Sequence, residues 1–270
     1  MKKFIITIAT VAAAVSCSSE KKVLVLYYSQ SGATQQVAEE IANRLGADIE
    51  LLEVEEPYNG NFMETVERCA REKAEGHIPA LRPLKSDLSE YDLIFLGFPV
   101  WNGIYATPVS SLFEAYKIEG KKIVPFCTYG SGGLNTSSDA LREALPGCEI
   151  LPGYGVRNAR LYAVKDEVNR FLIEQNYIDG SVETLPEYGE AHPVSEEEAA
   201  IFDAACSSYQ FPLGTPVAVG SRKTSAGTDY RYDVESAGPA GVSRSVIYVS
   251  VFNGRDPEFT EVVREVHLPK

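Results

Sequence analysis

The chain has no Cys-x-x-Cys pair among its five cysteines, and none of its three histidines clusters with one. Neither a structural zinc site nor a thioredoxin-type redox pair is supported. Basic residues are scarce, 25 against 38 acidic, and the formal charge of −13 would be repelled by nucleic-acid phosphates. The N-terminal apolar run, Phe4 to Val15, is too short to span a bilayer. The first candidate ligand loop carries no Lys or Arg, so it is not a nucleotide-triphosphatase loop, and it lacks the three spaced glycines of a dinucleotide fingerprint. What is present is ordinary globular material, 44% hydrophobic and 23% charged. Its 270 residues exceed a typical domain of about 150 and can hold two modest cores.

Val23 to Leu45 is the most informative stretch. A buried strand runs through a hydroxyl-rich loop, Ser29-Gln30-Ser31-Gly32-Ala33-Thr34, directly into an amphipathic helix. Orphan amides at a helix start, helped by the macrodipole, hold a phosphate dianion, and short hydroxyls supply the remaining donors. Ser29, Ser31 and Thr34 are those hydroxyls, and Gly32 lets the backbone turn close to the ligand. A monophosphate fits better than a nucleoside triphosphate.

At the N-terminus, Lys2 and Lys3, the apolar run and small residues before Cys17 read as a secretory signal over residues 1–16. The segment resembles a bacterial lipoprotein signal, which implies lipidation at Cys17, a tether over 17–22, and a membrane-anchored protein of the cell envelope facing the periplasm or the exterior. Four cysteines remain, Cys69, Cys127, Cys148 and Cys206. Cys127 lies in an apolar strand as plain core.

From Val23 to about Gln175 strands and helices alternate, the signature of a parallel sheet covered on both faces. The strands are predicted at Val23–Tyr28, Ile49–Val54, Leu93–Phe98, Ile123–Thr128 and, shorter, Glu149–Leu151. Helices are predicted at Ala33–Leu45, Phe62–Lys73, Val109–Ala115, Ser137–Leu145 and Val164–Gln175. This α/β class places a doubly wound domain at 23–175. Residues 176–194 read as a linker, rich in Gly, Pro and acid. A small α+β domain follows at 195–270: a helix over Ser195–Tyr209, opened by a Ser195/Glu198 capping box, then strands at Thr215–Lys223, Thr228–Glu235, Arg244–Phe252 and Phe259–His267.

Ligands of an open parallel sheet bind beyond the carboxyl ends of its strands. After the third strand comes Phe98-Pro99-Val100-Trp101-Asn102-Gly103, with the only tryptophan, and after the fourth Thr128-Tyr129-Gly130-Ser131-Gly132-Gly133. An isoalloxazine ring needs a flat slot of aromatic faces with backbone donors and acceptors at its edge, which glycine loops expose. Trp101 and Tyr129 are predicted to flank the ring while the first loop holds its phosphate. His77, His192 and His267 fall outside all three loops.

Tyr28 to Thr34, Tyr91 to Trp101 and Gly120 to Gly130 together resemble the bacterial flavodoxin-like proteins over residues 22–175. The resemblance implies a five-stranded sheet of order 2-1-3-4-5 and non-covalent FMN, held by Ser29 to Thr34, by Pro99 to Gly103, and by Thr128, Tyr129, Gly130 and Gly133. Three departures stand out: Ala33 for a frequent Asn, Asn102 for a second Trp, and Ile104-Tyr105-Ala106 before Pro108. An acidic shell disfavours negative charge on the ring, so a low reduction potential is predicted. The reading is an electron carrier, or a reductase of a small acceptor such as a quinone, with a redox protein as partner. Its alternative is a flavodoxin-shaped, non-redox protein that docks a partner through its C-terminal domain. That domain resembles the cystatin fold over 195–267. Lys223 and Ser225 replace the family's Gln and Val, and Pro257 lacks the accompanying Trp, so a docking or stabilising role is expected rather than protease inhibition.

Overall fold

The computed structural model describes residues 22–238 and 241–264. The signal over 1–16, Cys17, the tether up to residue 21 and His267 lie outside the described residues.

The first sheet is built from β1 (Val23–Tyr27), β2 (Asp48–Leu51), β3 (Leu93–Trp101), β4 (Ile104–Tyr105), β5 (Lys122–Tyr129), β6 (Glu149–Ile150) and β7 (Tyr154–Arg157). Its order is β2-β1-β3-β5-β6, with β7 also on β5 and β4 folded back on β3. All pairings but β3–β4 are parallel. Crossovers run through α1 (Ala33–Leu45), α2 (Phe62–Glu75), α3 (Thr107–Ala115) and α4 (Leu134–Ala144), and α5 (Val164–Glu174) closes the domain.

Side chains alternate along each strand, so one strand feeds two cores. Leu24 and Leu26 join Cys69 of α2, Val109 and Leu112 of α3 and Leu141 of α4 on one face. Val25 joins Val37 and Ile41 of α1 and Val168 and Leu172 of α5 on the other. At Gly97, mid-strand, a Cβ would stand 2.1 Å from the Phe126 ring, which is why β3 carries no side chain there.

Several predicted elements differ: β2 ends at Leu51 rather than Val54, α4 starts at Leu134 rather than Ser137, and two strands change form. The fifth strand is split: pairing stops at Ile150 and resumes at Tyr154. Pro152 offers no N–H for the ladder, and Gly153 passes so near Pro125 that a Cβ would meet its carbonyl oxygen at 2.3 Å. The third strand does not end at Phe98 but runs to Trp101 and turns back at Asn102 (φ 51) and Gly103 (φ 86). With Trp101 opposite Ile104, this is a two-residue hairpin whose positive φ values at both centres suit Asn-Gly.

The second domain carries α6 (Glu196–Cys206), shorter than predicted, under an intact Ser195/Glu198 capping box. Its antiparallel sheet, order β12-β11-β10-β9-β8, comprises β8 (His192–Pro193), β9 (Thr215–Thr224), β10 (Gly227–Gly238), β11 (Gly241–Phe252) and β12 (Glu258–Arg264). Residues 176–191 are irregular, but the predicted linker does not stay a linker to 194. His192 and Pro193 pair with Val219 and Ala218 at the sheet edge. Phe202 and Ala205 of α6 pack on Val219, Tyr232, Ile247 and Val249. Cys69, Cys127, Cys148 and Cys206 are all free thiols, Cys127 fully buried.

Candidate functional site

Three loops converge at the carboxyl end of the parallel sheet. Tyr28 N–H donates to the Gly97 carbonyl at 2.9 Å, joining the ends of β1 and β3. The hydroxyls of Thr34 and Thr128 meet at 2.9 Å, joining the start of α1 to the end of β5. Gly133 lies against the hairpin, where a Cβ would stand 2.6 Å from Val100 Cγ1 and 3.3 Å from the Gly103 carbonyl.

In the first loop Gly32 takes φ 87 as the N-cap of α1, with no side-chain cap and nothing within 4 Å of where a Cβ would be. Ser29 Oγ accepts the Gly32 and Gln35 N–H groups at 3.2 and 3.3 Å and leaves its proton to donate. Ser31 is exposed and Ala33 half-buried, at the mouth of the helix. Thr34 is 1% exposed, and because it shares one contact with Thr128, a second hydroxyl proton of the pair is left to donate. Gln30 differs from expectation: its Nε2 donates to the Tyr58 carbonyl at 3.1 Å and to Thr65 Oγ1 at 2.7 Å, pinning residues 58–65 to the loop, so its side-chain N–H groups are spent within the protein.

Trp101 is half-buried beside the hairpin turn, edge-on to Tyr28 (5.6 Å) and Tyr58 (4.9 Å). Tyr58 was not foreseen. It is held by Glu72 at 2.6 Å and by Arg68, whose guanidinium lies 3.8 Å over its ring. Burial, and then the Glu72 bond, push its phenol well above the usual range. One of fifteen tyrosines, in a stretch with no clear periodicity, carried no signal to single it out. Pro99 accepts the Ala106 N–H at 3.1 Å, and Asn102 and Gly103 are exposed at the hairpin tip.

Tyr129 stands otherwise than predicted. It is 4% exposed, its ring beside Gly155 and Leu134, and burial, reinforced by Glu261, raises its phenol far above the ordinary value. So enclosed, the Tyr129 ring does not stand open beside Trp101 as expected, and the space it borders is shared with the second domain. Gly130 is exposed and Gly133 takes φ 124. A cavity of about 280 Å³ lies behind Tyr129, lined from the second domain by Arg222, Asp229, Tyr248 and Glu261.

These residues fit the phosphate end of FMN: open space at Gly32, the Thr34/Thr128 hydroxyl pair, and the Ala33 and Thr34 amides ahead of the Gln35 N–H that Ser29 takes up. The flavodoxin family model matches residues 22–174. A Bacteroides uniformis protein is 25% identical over 55% of this chain and 98% of its own, with a TM-score of 0.48. A Lactobacillus acidophilus flavoprotein solved in complex with FMN is 26% identical over 55% of this chain and 99% of its own, with a TM-score of 0.44. No curated protein matches. With more than half of its residues matched, the chain belongs to the flavodoxin family, whose cofactor is FMN.

Proposed function

We propose that residues 23–175 bind FMN non-covalently and pass electrons, as a carrier or as a reductase of a small acceptor such as a quinone, in a lipoprotein anchored at the cell envelope through Cys17. The open space at Gly32 carries the reading: the Ala33 and Thr34 amides precede the first intrahelical bond, from Gln36 N–H to the Gly32 carbonyl, and the buried Thr34/Thr128 hydroxyl pair lies behind them. Ser29 and Ser31 add hydroxyls at the same end, and Gly32 leaves room for the phosphate.

When bound, FMN supplies the redox chemistry. The protein's part is to orient it. Trp101 presents an apolar face held in place by Tyr28 and Tyr58, while the backbone of 130–133 offers donors and acceptors to a polar ring edge. The acidic surface, −13 overall, keeps the potential low and suits docking on a basic redox partner. The second domain, a helix on an antiparallel sheet, is read as cystatin-like in form and as a docking or stabilising module.

The visible spectrum of the purified protein tests this. Flavin bands, or their appearance on adding FMN, are the expected result; a protein that stays colourless and takes up no FMN defeats the reading. The enclosure of Tyr129 favours the alternative, a non-redox docking protein. Partner binding unaffected by Trp101→Ala and independent of flavin decides for that alternative.

A further inference from the structure

The glycine loop at residues 130–133 is gripped from outside its own domain. Val262 N–H of β12 donates to the Ser131 carbonyl at 2.6 Å. Gly132, at φ 145, lies so close to β12 that a Cβ would stand 2.2 Å from the Val262 carbonyl oxygen. Arg157 ends β7 in register with Tyr129 and is 8% exposed. Its Nε donates to the Gly130 carbonyl at 2.8 Å and its Nη1 to the Phe259 carbonyl at 2.6 Å, with the guanidinium 4.0 Å from the Phe259 ring centroid. Arg160, 7% exposed, fastens the same seam by bonding Glu258 at 3.0 Å and also Glu167. On its inner side the loop rests on Val100 and Gly103 of the hairpin through Gly133.

We propose that the second domain is a wall of the flavin site, and that Arg157 is the positioning residue that locks the glycine loop against it. The inference rests on the FMN reading and deepens it. A loop with positive φ at two successive glycines samples many conformations when free and must lose them when a ligand needs its amides in one arrangement. Here β12 and Arg157 impose that loss during folding, so the flavin meets a preformed edge. Arginine suits the task because its planar fork donates from separate nitrogens to carbonyls on two domains at once, which a lysine, a single point donor, does less well. Its buried charge, held by two carbonyl oxygens, adds a positive potential on the outer side of the loop.

The test compares the full-length chain with Arg157→Met, Arg157→Lys, Gly132→Ala and Thr34→Val. FMN affinity is read by quenching of flavin fluorescence, the flavin environment by its visible absorption bands, and the seam by hydrogen exchange of the Val262 amide in FMN-free protein. Arg157→Met is expected to weaken FMN about tenfold, to shift the bound flavin's bands and to speed Val262 exchange. Arg157→Lys should recover part of each. Gly132→Ala, which leaves the charge in place and drives the loop off β12, should reproduce the loss, and it carries the test if Arg157→Met folds poorly. Thr34→Val should weaken FMN while leaving Val262 exchange and the band positions unchanged. Wild-type affinity and band positions in both Arg157→Met and Gly132→Ala overturn the proposal, as does unchanged Val262 exchange. A wild-type chain that takes up no FMN instead defeats the underlying functional reading.

Discussion

Thr34, buried, and Glu261, half-buried, act in opposite directions. The Thr34 hydroxyl is partnered by Thr128, so Thr34→Val removes one hydrogen bond at nearly constant volume and strands the other hydroxyl. Urea denaturation should show a loss of about 1 kcal/mol. Glu261, by contrast, is raised above its ordinary 4.5, with burial as the cause. Below pH 4.5 both folded and unfolded chains hold the proton and the group is neutral in its effect. As pH rises through the window up to the folded value, the unfolded chain ionises first, so stability falls; above the window the penalty is complete. Glu261→Gln should therefore raise the melting temperature at pH 7 and leave it almost unchanged at pH 4. An equal gain at both values would contradict the burial argument.

The β3–β4 hairpin is the element whose form matters most for the site. Asn102, a departure from the expected second Trp, makes with Gly103 the turn that places Trp101. Gly103→Ala at φ 86 should cost about 1–2 kcal/mol. Because Trp101 is the only tryptophan, its emission spectrum reports the displacement directly. The Asn102-Gly103 dipeptide is a local hairpin signal, masked because the same stretch also has the character of a cofactor loop. Elsewhere local signals served well. Helix α1 has the predicted bounds because its apolar period and the glycines on either side, Gly32 and Gly46, are both local properties. Helix α4 begins three residues earlier than predicted, at Leu134, straight after Gly133.

Across the whole molecule, the excess of acid gives a negative field with a range set by salt. Electron transfer to a cationic acceptor should slow as ionic strength rises from 10 to 200 mM on the order of the screening expected from Debye lengths of ~30 to ~7 Å. A rate indifferent to salt would show that the docking face does not share the molecule's overall charge. The two domains also touch where the chemistry is expected, through Arg157, Arg160 and β12, so the C-terminal domain is not a remote appendage.

The alternation of strand and helix over the first domain and the change to an antiparallel unit in the last third of the chain were determined by the sequence alone, and the order of the parallel sheet follows the family resemblance. Periodicity, caps and glycine punctuation act over a few residues, so a local pattern carries them. Only the tertiary structure decided that Tyr129 is enclosed, that Tyr58 braces Trp101, and that β12 sits on the glycine loop. These contacts join residues far apart in the chain, Ser131 to Val262 and Gly130 to Phe259 through Arg157. No local pattern encodes them, because they arise from how cores distant in the chain pack together.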